Sequence, residues 1–213
     1  MALPTLRLRP FLAATLAAVS LALSGCGPIV NLGEQAPDDV FRLQPLQEQV
    51  ATPPTPGWPL LIDEPSASNG LDSNRIAVMT SPLELRFLAK ARWSPRIANM
   101  LQALMIDSFE TGAGAMAMTF NSPAAEAPYV LAADIRDFQA DVRDEKAPVV
   151  HVRIAFTLTS RAPTRVLAYK TIEATATATG NSGPELAEGF NTATQDVLKD
   201  LVTWTVAQLG PAS

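Results

Sequence analysis

Val150-His151-Val152-Arg153-Ile154-Ala155-Phe156-Thr157-Leu158-Thr159 alternates with a period of two: Val150, Val152, Ile154, Phe156 and Leu158 fall on one side, His151, Arg153, Thr157 and Thr159 on the other. Successive side chains of a strand point to opposite faces, so the pattern predicts a strand with one face in the core and one toward water. Residues 165–179 follow a turn-like Arg161-Ala162-Pro163-Thr164, and the two runs predict an antiparallel hairpin. Upstream, 129–138 reads as another strand, with charge at Asp134, Arg136 and Asp137 placing its far half near an edge. Short runs at 75–79, 83–88 and 115–120 read as further strands.

Two segments switch to helical spacing. Ser94-Pro95 predicts an N-cap followed by proline in the first helical position, and Ile97, Leu101, Leu104, Met105 and Phe109 then recur on one face until Gly112. Ser182-Gly183-Pro184-Glu185 has the spacing of a capping box, after which Leu186, Phe190, Ala193, Val197, Leu201 and Trp204 step by three or four. This predicts a closing helix of about six turns. The order strands, helix, strands, helix, joined by hairpin-length connections, predicts an α+β domain: an antiparallel sheet with two amphipathic helices packed on one face.

The chain has 213 residues, 47% of them hydrophobic, enough for one domain rather than two. Residues 1–10 carry Arg7 and Arg9 and no acid, and 11–23 are apolar except for Thr15 and Ser20. Leu23-Ser24-Gly25 then places small residues before Cys26, the only cysteine. This is the grammar of a secretory signal, too short for a spanning helix, and Leu23-Ser24-Gly25-Cys26 matches a lipobox. Residues 1–25 are expected to be cleaved, and the net charge then moves from −5 to −7 because two arginines leave and no acid does. An acidic chain without basic clusters excludes nucleic acid as a partner and disfavours an electrostatic grip on anionic lipid. Eight prolines between Pro28 and Pro65 oppose helix and interior strand, so 26–56 reads as a lipidated N-terminus and Pro-rich linker, with 40–43 and 58–62 as short strands laid on a domain of residues 57–209.

The motifs that could carry chemistry have plainer readings. Gly112-Ala113-Gly114-Ala115-Met116-Ala117 has the glycine spacing of a dinucleotide loop, but it follows a helix and leads into a strand, the reverse of what a phosphate cradle needs. His151, the only histidine, is expected on the solvent face of its strand with no nucleophile motif to serve. Asp137, Asp141, Asp144 and Glu145 read as a solvated charged loop, and Trp93 and Trp204 as core anchors. One cysteine and one histidine are too few soft ligands for zinc. No catalytic, metal or cofactor site is expected, and the chain reads as a non-enzyme.

The lipobox, Gly70-Leu71-Asp72-Ser73-Asn74-Arg75-Ile76-Ala77-Val78, the run Leu83-Glu84-Leu85-Arg86-Phe87-Leu88 to Ala91-Arg92-Trp93, and Val197-Leu198-Lys199-Asp200-Leu201-Val202-Thr203-Trp204 together resemble the ABC-type transport auxiliary lipoprotein family over roughly 41–208. Many members carry a tyrosine-rich strand early in the mature domain, whereas Val40-Phe41-Arg42-Leu43 keeps one aromatic. The resemblance implies acyl chains of the palmitate type on Cys26, the site residue, as the only bound group. It also implies an auxiliary subunit of a mammalian-cell-entry type lipid transport system, with that system's periplasmic protein, ATPase and permease as partners and room for a homo-oligomer. Gly27 after the cysteine, in place of aspartate, implies the periplasmic side of the outer membrane. Two roles stay open: docking or receiving lipid for the transporter, or stabilising outer-membrane components as a structural lipoprotein. A hydrolase would need the nucleophile motif that is missing.

Overall fold

A computed structural model describes residues 38–50, 57–68, 70–122, 127–144 and 146–210. Cys26, the expected signal segment and part of the expected linker lie outside these. Among the described residues the order is β1 (Asp39–Phe41), β2 (Leu60–Ile62), β3 (Ser66–Ala67), β4 (Arg75–Ser81), β5 (Glu84–Trp93), α1 (Ile97–Ala113), β6 (Ala117–Met118), β7 (Tyr129–Asp141), β8 (Val149–Arg161), β9 (Thr164–Thr177) and α2 (Gly183–Leu209). The class is α+β, as expected.

The period-two stretch forms β8, with Val150, Val152, Ile154, Phe156 and Leu158 buried. It lies antiparallel between β7 and β9 over nearly its whole length. The sheet is nevertheless mixed rather than antiparallel throughout. β2, β3 and β4 meet β7 in succession along its other edge, all parallel to it. β6 extends the sheet parallel to β2, and β1 runs parallel to β5, the antiparallel partner of β4. One helix suffices for the parallel pairs that β2, β3 and β4 make with β7, because α1 lies in sequence between all three and β7 and serves as their common crossover.

The charges of β7 do not mark an edge, because its far half has β8 on one side and β4 on the other. A register shift between Ile135 and Asp137 inserts Arg136 as an extra residue. The extra residue flips the alternation, so Leu131, Ala133 and Ile135 are buried before it and Phe138 and Ala140 after it. The bulge keeps Phe138 and Ala140 on the same inner face as Leu131, Ala133 and Ile135 and leaves Asp134 and Arg136 outside as a 2.6 Å ion pair.

The first helix starts later than its sequence suggests. Ser94 donates its N–H to the Phe41 carbonyl at 2.9 Å and belongs to the strand end, and Arg96 takes the cap position without a side-chain bond. Gly114 ends the helix in the left-handed region (φ 61°), its N–H bonded to the Glu110 carbonyl at 3.0 Å. The glycine pattern at 112–117 is therefore a helix terminus. α2 opens as expected, the Ser182 N–H donating to the Glu185 carboxylate at 3.1 Å. At 27 residues it runs about seven turns rather than six.

The apolar stripes of both helices and the inner face of the sheet meet in one core. Trp93 is fully buried there, whereas Trp204 is half-buried at its margin. Residues 38–50, expected within the linker, pack on this core: Leu43 and Leu46 are buried, the Gln44 N–H reaches Asn191 Oδ1 at 2.8 Å, and the Val50 N–H reaches the Gly112 carbonyl at 2.9 Å. The compact unit accordingly begins at Asp38 rather than at residue 57. β2 is likewise not an edge strand, since β6 and β7 flank it and all three of its residues are buried.

Candidate interaction surface

Among the described residues the inner face of the sheet is closely packed against the two helices. Where α1, α2, β7 and β8 converge, Leu101, Met105, Ile135, Phe156, Thr194 and Val197 enclose a cavity of about 10 Å³. That is at most the room of one water molecule. The Thr194 hydroxyl is buried there without a hydrogen-bond partner.

The outer face of β7, β8 and β9 divides into a polar and an apolar half. In the polar half Arg153 is ion-paired with Asp137, Gln139 donates to Asp137 at 3.2 Å, and Arg143 holds Asp141 at 2.5 Å. Burial works to raise the Asp137 carboxyl, but hydrogen bonds from Arg153 and Gln139 outweigh it and hold the carboxyl below its usual range. The Asp141 carboxyl is lowered first by the hydrogen bond from Arg143, with burial opposing. His151 lies between them, opposite Gln139 on one neighbouring strand and Thr175 on the other, half-buried on the outward side. Met79, Pro82, Asp137, Asp141, Arg143 and His151 line a shallow crevice of about 260 Å³.

Asp137 and Asp141 are thus brought together with His151, which their sequence positions did not reveal, but each carboxylate is engaged by an arginine. Asp144 is exposed on the following loop, and Glu145 lies outside the described residues. Among the described residues no group of three His, Cys, Asp or Glu side chains could hold a metal ion.

The apolar half is assembled across strands. Met118, Leu61, Val130, Thr159 and Val166 form one register row over β6, β2, β7, β8 and β9. Leu61, Met118 and Ala127 form a small buried cluster on which Val130 packs. On β9, Val166 and Tyr169 stand in water at 64% and 59% exposure, whereas Leu61 and Met118 at the other end of the row are buried. Large apolar side chains gathered in water on one sheet face are candidate contact points. Sequence reasoning missed these residues because they alternate singly within their own strands and become neighbours only through the register.

The sequence model of the ABC-type transport auxiliary lipoprotein components matches residues 41–202. Among solved structures, a protein of family DUF330 from Xanthomonas campestris is similar at 26% identity and a TM-score of 0.69, over 79% of this chain and 95% of that one. An uncharacterised protein aligns at 9% identity and a TM-score of 0.62, over 78% of this chain and 97% of that one, which speaks for the fold alone. No curated protein matches the sequence.

Proposed function

The chain belongs to the ABC-type transport auxiliary lipoprotein components, and from that premise we propose that it is a docking subunit without catalytic activity. It is held by acyl chains on Cys26 at the periplasmic side of the outer membrane and meets the periplasmic protein of a mammalian-cell-entry type transporter, whose ATPase and permease lie beyond. The observation that carries the docking role is the outer face of β9, where Val166 and Tyr169 stand in water. The closed core supports docking over carriage, since about 10 Å³ holds no part of an acyl chain. Anchoring follows from Cys26: two or more chains hold a protein at a bilayer durably, whereas one does so only marginally.

The test is a photo-crosslinking amino acid placed at Tyr169 and, as a control, at the exposed Glu188 on α2, in the full-length lipoprotein in intact cells. Crosslinks to a mammalian-cell-entry type protein from position 169 and not from 188 support the docking face. Crosslinks only to outer-membrane proteins, with no transport component, overturn it in favour of a structural lipoprotein.

A further inference from the structure

β4 and β5 form a hairpin whose last pair is Ser81 and Glu84, so Pro82 and Leu83 are the turn. The polar groups beneath it satisfy one another: Thr80 Oγ1 donates to Glu84 at 2.7 Å, and Arg86 Nε and Nη2 donate to the other carboxylate oxygen at 2.9 and 2.7 Å. Above them Leu83 is 98% exposed, the most exposed large apolar side chain among the described residues, and Leu85 is exposed behind it. Turns favour glycine, asparagine and aspartate, which need no burial. A lone exposed leucine is ordinary on a protein surface. Its position relative to the chain's entry sets this one apart.

β1 runs parallel to β5 with Asp39 opposite Ala91. Its N-terminal end therefore faces the same way as the hairpin turn, and the chain enters the domain from that side. Eight residues separate Leu83 from Ala91 along β5, a span of at most about 26 Å at 3.3 Å per residue, shortened by the register shift opposite Arg75–Ala77. Thirteen residues separate Cys26 from Asp39, a reach of at most about 45 Å. A bilayer holding Cys26 is thus within reach of the tip. The same end carries the mixed-charge loop after β7, with Arg143 paired to Asp141 and with Asp144 and Lys146 exposed, and there the Val142 N–H meets the Met79 carbonyl at 3.0 Å. The docking face lies the other way: Val130 in the apolar row and Asp141 beside the hairpin are eleven residues apart along β7, about 35 Å.

From this arrangement, which rests on the lipid-anchored reading of Cys26, we infer that the Pro82–Leu83 turn is a second membrane contact. It dips into the interface of the bilayer that holds the acyl chains and orients the domain with its docking face outward. An exposed apolar tip on the side from which the anchored chain enters suits the boundary between headgroups and acyl chains.

The test uses the full lipoprotein, isolated from membranes and reconstituted in vesicles of phosphatidylethanolamine and phosphatidylglycerol. Cys26 is the only native cysteine, so when it is acylated Leu83→Cys and, as the distal control, Val166→Cys each offer one free thiol for a fluorophore. Quenching by doxyl-labelled lipid several-fold greater at 83 than at 166 is the expected result. Protein that floats with the vesicles but shows equal or no quenching at the two positions overturns the membrane contact and leaves the anchor intact. Protein that does not float overturns both. Because Leu83 is in water, its replacement leaves the core intact, and an unchanged far-UV circular dichroism spectrum checks this.

Discussion

The indole of Trp93 meets the ring of Phe190 edge to face, centroids 5.2 Å apart and planes at 83°. Phe138 completes the cluster, stacked on Phe190 with centroids 4.9 Å apart. The contact joins the end of β5, the second half of β7 and the second turn of α2, so a single aromatic group ties three separate parts of the chain. Phe190→Ala is expected to lower the unfolding free energy by about 3–5 kcal/mol, as removal of a fully buried aromatic does, and a urea unfolding curve measures it.

Glu185 closes the start of α2 by accepting from the Ser182 N–H and hydroxyl, and these bonds hold its carboxyl below the ordinary value. A carboxyl lowered in the folded state stabilises at pH values above its unfolded pKa, and that stability is lost as pH falls through the folded value. The gap in unfolding midpoint between the native chain and Glu185→Ala should accordingly be largest near neutrality and narrow on acidification below the usual glutamate range. A gap independent of pH would show that the ionised carboxylate is not what caps the helix.

Gly189 lets α2 lie close against the sheet. A Cβ there would stand 3.0 Å from Val150 Cγ2 and 3.3 Å from Ala178 Cβ. Gly189→Leu improves helix propensity yet is expected to destabilise by about 1–3 kcal/mol, because overpacking outweighs it. Thermal unfolding reads the sign, and a raised midpoint would mean the helix can lift without cost.

Val166→Asp with Tyr169→Asp changes side chains that stand in water, so stability should stay within about 0.5 kcal/mol. Recovery of the transport partner by crosslinking should nevertheless fall, since the substitutions charge the proposed docking face. Loss of recovery together with loss of folding would count against the face as a dedicated surface.

Cys26→Ala removes the proposed acylation site and nothing in the described fold. It should move the protein from the membrane fraction to the soluble periplasmic fraction on cell fractionation, with its circular dichroism unchanged. Retention in the membrane fraction would mean that something other than the acyl chains holds it.

Much of the fold is legible along the chain. The alternation of 150–159 places β8 and its buried face, the spacing from Leu186 to Leu201 places α2, and Ser182 with Glu185 marks where that helix begins. The Pro-rich composition that suggested a free linker was misleading at 38–50, where Leu43 and Leu46 reach the core between prolines. Ser94-Pro95 misled as well, because a backbone bond to Phe41 claimed Ser94 for the strand end.

What the sequence by itself determined is the local physics of each element: which side of a strand or helix is apolar, where a helix is capped, and where an acylated cysteine is expected. Only the tertiary structure decided which strands became neighbours and in what direction. β2, β3 and β4 lie parallel to β7 because α1 carries the chain back between them, and Arg136 bulges so that Phe138 and Ala140 share the inner face of Leu131, Ala133 and Ile135. The row from Met118 through Leu61 and Val130 to Val166 exists only in that register. A period of two specifies a face but not a partner, and the partner is chosen by packing between segments far apart in the chain.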